Sequence, residues 1–113
     1  MTEFETINAY RHMWLIVMFD LPVSTKKERH DATRFRKDLL NDGFTMVQFS
    51  VYTRHCASYE SAEVHTKHIR SIIPSLGQVS ILSVTDKQYG DIINIWGAKE
   101  QPPPQQPEQL ELL

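Results

Sequence analysis

Asp20 closes an apolar run, Leu15-Ile16-Val17-Met18-Phe19, and is followed at once by Leu21 and Pro22. A carboxylate in that place is either a turn residue or the one charged group the fold carries to a functional position. As a turn residue it caps its own backbone before the proline. As a functional group it suits Mg2+, which keeps several waters and asks the protein for only one or two carboxylates. Such an ion stabilises charge and activates water in phosphodiester hydrolysis. One carboxylate is thin for that task, but two copies brought together by a two-fold axis would repel each other and favour a shared cation. Asp20 is therefore the candidate metal ligand and catalytic residue. Asp86 and Asp91 read as turn residues. His65 and His68 stand three apart, a spacing that can grip a metal, yet no third ligand is evident, so one is expected to pack inward and one to be solvated. Cys56 is the only cysteine; it adjoins His55 but has no partner that would make it a nucleophile.

The elements that must position these groups follow from hydrophobic spacing. The 113 residues suit one domain. The N-terminal "MTEFETINAYRH" is acidic and polar and does not read as a signal peptide. No apolar run approaches the ~20 residues of a membrane span, and the lone cysteine fits a reducing cytoplasm. Residues 1–11 read as a flexible lead-in, 12–97 as the folded domain and 98–113 as a Pro/Gln-rich linker ending in a segment, 108–113, with strand-like spacing. Residues 13–20 predict a strand. Thr25 and Glu28 have capping-box spacing, so a helix should run from about 25 to 42, with Ala32, Phe35 and Leu39 inward and Gly43 as its stop. "FTMVQFSVYTRH" (44–55) alternates, with Val47, Phe49 and Val51 on one side and Gln48, Ser50 and Tyr52 on the other. It is one long strand or two short ones bent near Ser50. A second helix starts after a serine cap at 58 or 61 and runs to about Ile73, with His65, Ile69, Ile72 and Ile73 inward. "QVSILSVT" is a strand, "DKQYGD" a turn, and "IINIW" (92–96) the last strand.

Two helices at this spacing cover one face of a sheet, yet the first strand is apolar on both sides. Its odd positions can face the helices. Trp14, Ile16 and Met18 must then face something else, because a large wet apolar patch is unusual. Two sheets packed face to face in a homodimer would meet that need, with Gln48, Ser50 and Tyr52 hydrogen-bonding or packing across the same interface. Strict alternation puts Asp20 on the Met18 side, towards the partner. Leu110 and Leu112, two apart, would let the tail add as a strand to an exposed sheet edge of a partner; a frayed terminus is the alternative. Formal charge is −2 with pI about 6.2, so nucleic-acid binding must rest on local basic patches. Arg11, Arg54 and the Lys26–Lys27 pair fit sequence-independent contact with a duplex backbone, against the alternative of an ordinary solvated surface.

The segments "WLIVMFDLP", "GFTMVQFSVYTRH" and "VSILSVTDKQYGDIINIWG" together resemble the CRISPR-associated protein 2 family. The pattern is a first strand ending in aspartate (Asp20), a Gln-x-Ser-Val-aromatic signature (Gln48 to Tyr52) and a Thr-x-x-Gln-aromatic turn (Thr85, Gln88, Tyr89), over roughly residues 12–97. The resemblance implies an α+β, ferredoxin-like fold: βαββαβ plus an extra C-terminal strand, an antiparallel sheet with two helices on one face, and a sheet-to-sheet homodimer. It implies the core of a CRISPR spacer-acquisition complex that bridges dimers of the CRISPR-associated integrase and supports duplex DNA. It also implies possible magnesium-dependent endonuclease activity on RNA or DNA. The alternative is a toxin-type ribonuclease of a related ferredoxin-like family, the virulence-associated protein D type, outside CRISPR.

Overall fold

Residues 12–101 are described in the computed structural model. The chain runs β1 (Met13–Asp20), α1 (Lys26–Asn41), β2 (Thr45–Gln48), β3 (Val51–Cys56), α2 (Tyr59–Ile72), β4 (Gln78–Thr85), the short α3 (Asp86–Gly90), β5 (Asn94–Trp96) and β6 (Lys99–Gln101). The main sheet has the order β2-β3-β1-β4, every neighbouring pair antiparallel. This is the α+β, ferredoxin-like arrangement, with β1 in the interior of the sheet. β5 and β6 form a separate two-stranded hairpin.

Period-two alternation in β1 decides where the core lies. Met13, Leu15, Val17 and Phe19 are buried beneath α1 and α2, where they meet Phe35, Leu39, Ala62 and Ile69. Both helices start as their sequences direct. Thr25 Oγ1 accepts from the Glu28 N–H at 3.0 Å while Glu28 Oε1 accepts from the Thr25 N–H at 2.8 Å, a reciprocal cap. Ser58 Oγ accepts from the Ser61 N–H at 3.1 Å. Gly43, at φ +89°, ends the α1 segment in the left-handed region glycine favours. In α2, Ile69 is fully buried and Ile72 packs on the core, whereas Ile73, expected inward, is exposed because the helix has already ended.

Three sequence expectations change here. First, the 44–55 segment takes the bent one of its two expected forms, two strands joined by a turn at Phe49–Ser50, and what changes is the facing of its residues, because Ser50 has φ 63° and the register shifts between Met46 and Gln48. An irregularity of this kind breaks period-two counting. Tyr52 consequently turns inward, stacks on Phe19 at 5.6 Å between ring centroids and is buried in the core. It is not an interface residue, and Ser50 is a turn residue rather than a strand residue on the open face. Second, "DKQYG" is a helix, not a turn, and it covers Trp14. That indole is buried within its own chain, so it needs no partner molecule to stay dry. Third, the hairpin's second strand, Lys99–Gln101, occupies the start of the stretch expected to be linker.

β4 begins where the chain passes closest to the end of β1. Gly77 has φ +98°, and a Cβ there would lie 2.8 Å from the Asp20 carbonyl oxygen and 2.8 Å from Leu21 Cδ2. Gly77→Ala is expected to destabilise the fold by about 2 kcal/mol, since strained backbone and forced movement each carry that order of cost. Gly90→Ala, where a Cβ meets nothing within 4 Å, should be neutral or stabilising by up to about 1 kcal/mol. Urea midpoints at constant m-value read both.

Candidate functional site

Asp20 ends β1 opposite Gln78 of β4, on the face away from the helices, and is exposed. Its position follows from the strand itself. An interior strand has no lateral room for a charge, and burying an unpaired carboxylate is costly, so the acid appears only where the strand leaves the sheet. Among the described residues its carboxylate makes no hydrogen bond or ion pair, and no three His, Cys, Asp or Glu side chains form a metal-holding group.

The tip of the β2–β3 hairpin lies beside the same strand end. The Phe19 N–H donates to the Ser50 carbonyl at 3.1 Å, which fixes the turn one residue from Asp20. Phe49, at the apex, is 81% exposed. The Arg36 guanidinium of α1 sits 5.6 Å from the Phe49 ring centroid and 6.0 Å from that of Phe19. These are cation–π contacts, and they hold Arg36 with no carboxylate partner among the described residues. Arg36 lies on the helix side of β1 and Asp20 on the open side, so cation and acid flank the strand end from opposite faces. Neither Arg36 nor Phe49 stands out in the sequence. One is lost in a run of basic residues, and the other passes for a strand residue until the turn is placed.

The remaining candidates are spread widely. Lys26 and Lys27 are exposed at the start of α1, the Asp20 end of the molecule, and Lys27 pairs with Asp31 at 3.1 Å. Arg54 is committed to its own chain: Nε donates to the Asp42 carbonyl at 2.6 Å and Nη1 to the His55 carbonyl at 2.8 Å. It anchors the α1–β2 connection through these two nitrogens. Ile16, Met18 and Gln48 lie on the open sheet face, with Met18 37% exposed. Arg11, Leu110 and Leu112 lie outside the described residues. His65 and His68 both reach Asp42 Oδ2, their Nδ1 atoms 2.8 and 3.4 Å away, so they tie the end of α1 to α2, with His65 turned inward and His68 exposed, as their spacing led one to expect. Burial raises the Cys56 thiol above its usual range despite the opposing effect of Arg54, which leaves it little thiolate at neutral pH.

The family model described as "CRISPR associated protein Cas2" matches residues 13–92. A CRISPR-associated endoribonuclease Cas2 of Parvibaculum lavamentivorans is 56% identical over 100 residues, covering 88% of this chain and 99% of its own length. The protein of the same name in Flavobacterium psychrophilum is 49% identical, covering 97% of this chain and 96% of its own. A solved structure titled "Crystal structure of cas2" superposes with a TM-score of 0.55 at 22% identity, over 84% of this chain and 98% of that one, a likeness of fold. The matched span contains Asp20, Arg36 and Phe49.

Phe49 and Phe35 should respond to truncation to very different extents. Phe49→Ala is expected to change unfolding free energy by less than about 0.5 kcal/mol, as for other surface positions. Phe35→Ala, at a site 1% exposed, should cost about 3–5 kcal/mol. Denaturant melts of the two variants check whether the hairpin tip is free of structural duty.

Proposed function

We propose a function that starts from one fact: the chain belongs to the CRISPR associated protein Cas2 family. On that premise it acts as a homodimer in CRISPR spacer acquisition, joined through the open faces of its sheets. It bridges dimers of the CRISPR-associated integrase, contacts duplex DNA, and carries a metal-dependent site that cleaves phosphodiester bonds in RNA. RNA is favoured as the cleaved substrate because the relatives are named endoribonucleases.

The observation that carries this reading is the exposed, unpartnered Asp20 at the end of the buried β1. One chain supplies a single carboxylate there, which does not hold a metal alone. Two Asp20 carboxylates facing each other across a two-fold axis fit Mg2+, whose shell tolerates few protein ligands and many waters. When bound, the ion would polarise the scissile phosphate and lower the pKa of a bound water. The chain's own part is to hold, orient and contact. Asp20 on each copy would hold the ion. Phe49 offers an exposed ring on which a base can stack, independent of sequence. Arg36, anchored by two ring faces, gives a fixed cation for a neighbouring phosphate. Lys26 and Lys27, with Arg11, contact duplex backbone. Leu110 and Leu112 dock the tail on a sheet edge of the integrase.

A purely architectural role is the second reading, and the single carboxylate per chain favours it. Asp20→Asn separates the two. It should lower RNA cleavage at least about 100-fold, the scale of losing a metal's charge stabilisation, while duplex binding and dimer mass stay unchanged. Equal cleavage by the variant would remove Asp20 from the chemistry. Spacer integration at the wild-type level by Asp20→Asn would show that cleavage is dispensable to the adaptation role.

A further inference from the structure

The short helix α3 does more than cap the sheet. Trp14 and Tyr89 stack with ring centroids 3.9 Å apart and planes 4° from parallel. The indole N–H of Trp14 donates to Asp86 Oδ1 at 2.7 Å, and the Tyr89 hydroxyl bonds Thr53 Oγ1 at 3.0 Å. The Asp86 N–H donates to the His12 carbonyl at 3.0 Å. Thr85 and Gln88 close a reciprocal cap at the helix start, at 2.9 and 3.1 Å. Five residues with this many fixed points cannot rotate on the sheet, although a helix so short has no stability of its own.

The β5–β6 hairpin comes next along the chain. The Ile92 N–H returns to the Tyr89 carbonyl at 3.2 Å, so the hairpin leaves directly from the stacked ring. Its root crosses the open sheet face, where Tyr89, Ile92 and Asn94 enclose a cavity of about 110 Å³ with Ile16, Val51 and Thr53. Beyond the root, Ile93, Ile95 and Trp96 are 63–69% exposed. The same chain leaves Met18 and Leu82 exposed on its open face. Each copy therefore presents an apolar hairpin and an apolar sheet face, the two halves of an isologous contact.

We infer that Trp14, Asp86 and Tyr89 form a latch that sets the take-off direction of the β5–β6 hairpin, and that the latch is thereby a determinant of dimer assembly. The inference rests on the homodimer proposed above. Its residues are positioning residues: they point the hairpin at the second copy and do not touch it. The indole–carboxylate bond is the part most open to substitution, because Asp86 stands at the rim of the latch. A neutral amide keeps the acceptor oxygen, whereas a methyl group does not.

Sedimentation equilibrium of the full chain over a concentration series, with far-UV circular dichroism and thermal melts of the same samples, tests this. Wild type should sediment at twice the 13.2 kDa chain mass. Asp86→Ala should weaken the dimer at least about tenfold with an unchanged circular dichroism spectrum. Asp86→Asn should restore it to within about threefold of wild type. Tyr89→Phe, which keeps the ring and loses only the Thr53 bond, should weaken it in the same direction by about threefold. A folded Asp86→Ala that dimerises as tightly as wild type overturns the latch while leaving the dimer standing. If Asp86→Ala does not fold, wild-type dimerisation by Tyr89→Phe overturns it instead. A monomeric wild type overturns the dimer reading and the latch with it.

Discussion

One strand is packed from four directions. β1 has β3 on one side and β4 on the other, α1 and α2 over its odd-numbered face, and α3 over the start of its even-numbered face. Burial of this kind dominates folding energetics at roughly 25 cal/mol per Å² of apolar surface, and β1 holds the largest share of the core residues. Its register dictates the rest. The odd positions choose which face the helices cover, and the even positions choose where α3 must land. The last residue, beyond the packed stretch, is the only place along β1 where a carboxylate stands in solvent.

That arrangement separates stability from chemistry. Phe19 belongs to the core and Asp20, one residue on, belongs to the surface; the hairpin tip and Gly77 meet at the same strand end. Phe49 and Arg36 come from elements that contribute Tyr52 and Phe35 to the core, so their backbones are held while their side chains remain available. This is how a small domain keeps a site rigid with few residues. The cost is that one chain supplies only one acid, so a metal-dependent reading requires a second copy, which the proposed dimer would seat on the open sheet face.

Much of this was legible in the residues. The order of elements, both helix starts and the inward residues Ala32, Phe35 and Leu39 follow from spacing and capping rules. Parity counting failed at Tyr52 because it ran through the bend near Ser50, which the residues offered as one of two forms, and through the register shift between Met46 and Gln48, which the residue types do not betray. Trp14 misled for another reason. Its cover comes from a helix 72 positions away, bonded through Asp86, and local pattern carries no such contact. The Thr85-x-x-Gln88 capping spacing was the available sign that "DKQYG" is helical. Arg54 shows the general limit for surface charge: sequence gives the cation, and only the fold shows that its Nε and Nη1 are bonded to the Asp42 and His55 carbonyls.

The pairing of two Asp20 carboxylates is the claim on which the site depends, and Mn2+ bound in place of Mg2+ can be counted by electron paramagnetic resonance on the full-length protein. Paired acids predict one tightly held ion for every two chains and none in Asp20→Asn. One ion per chain, or the same occupancy in the variant, would contradict the account.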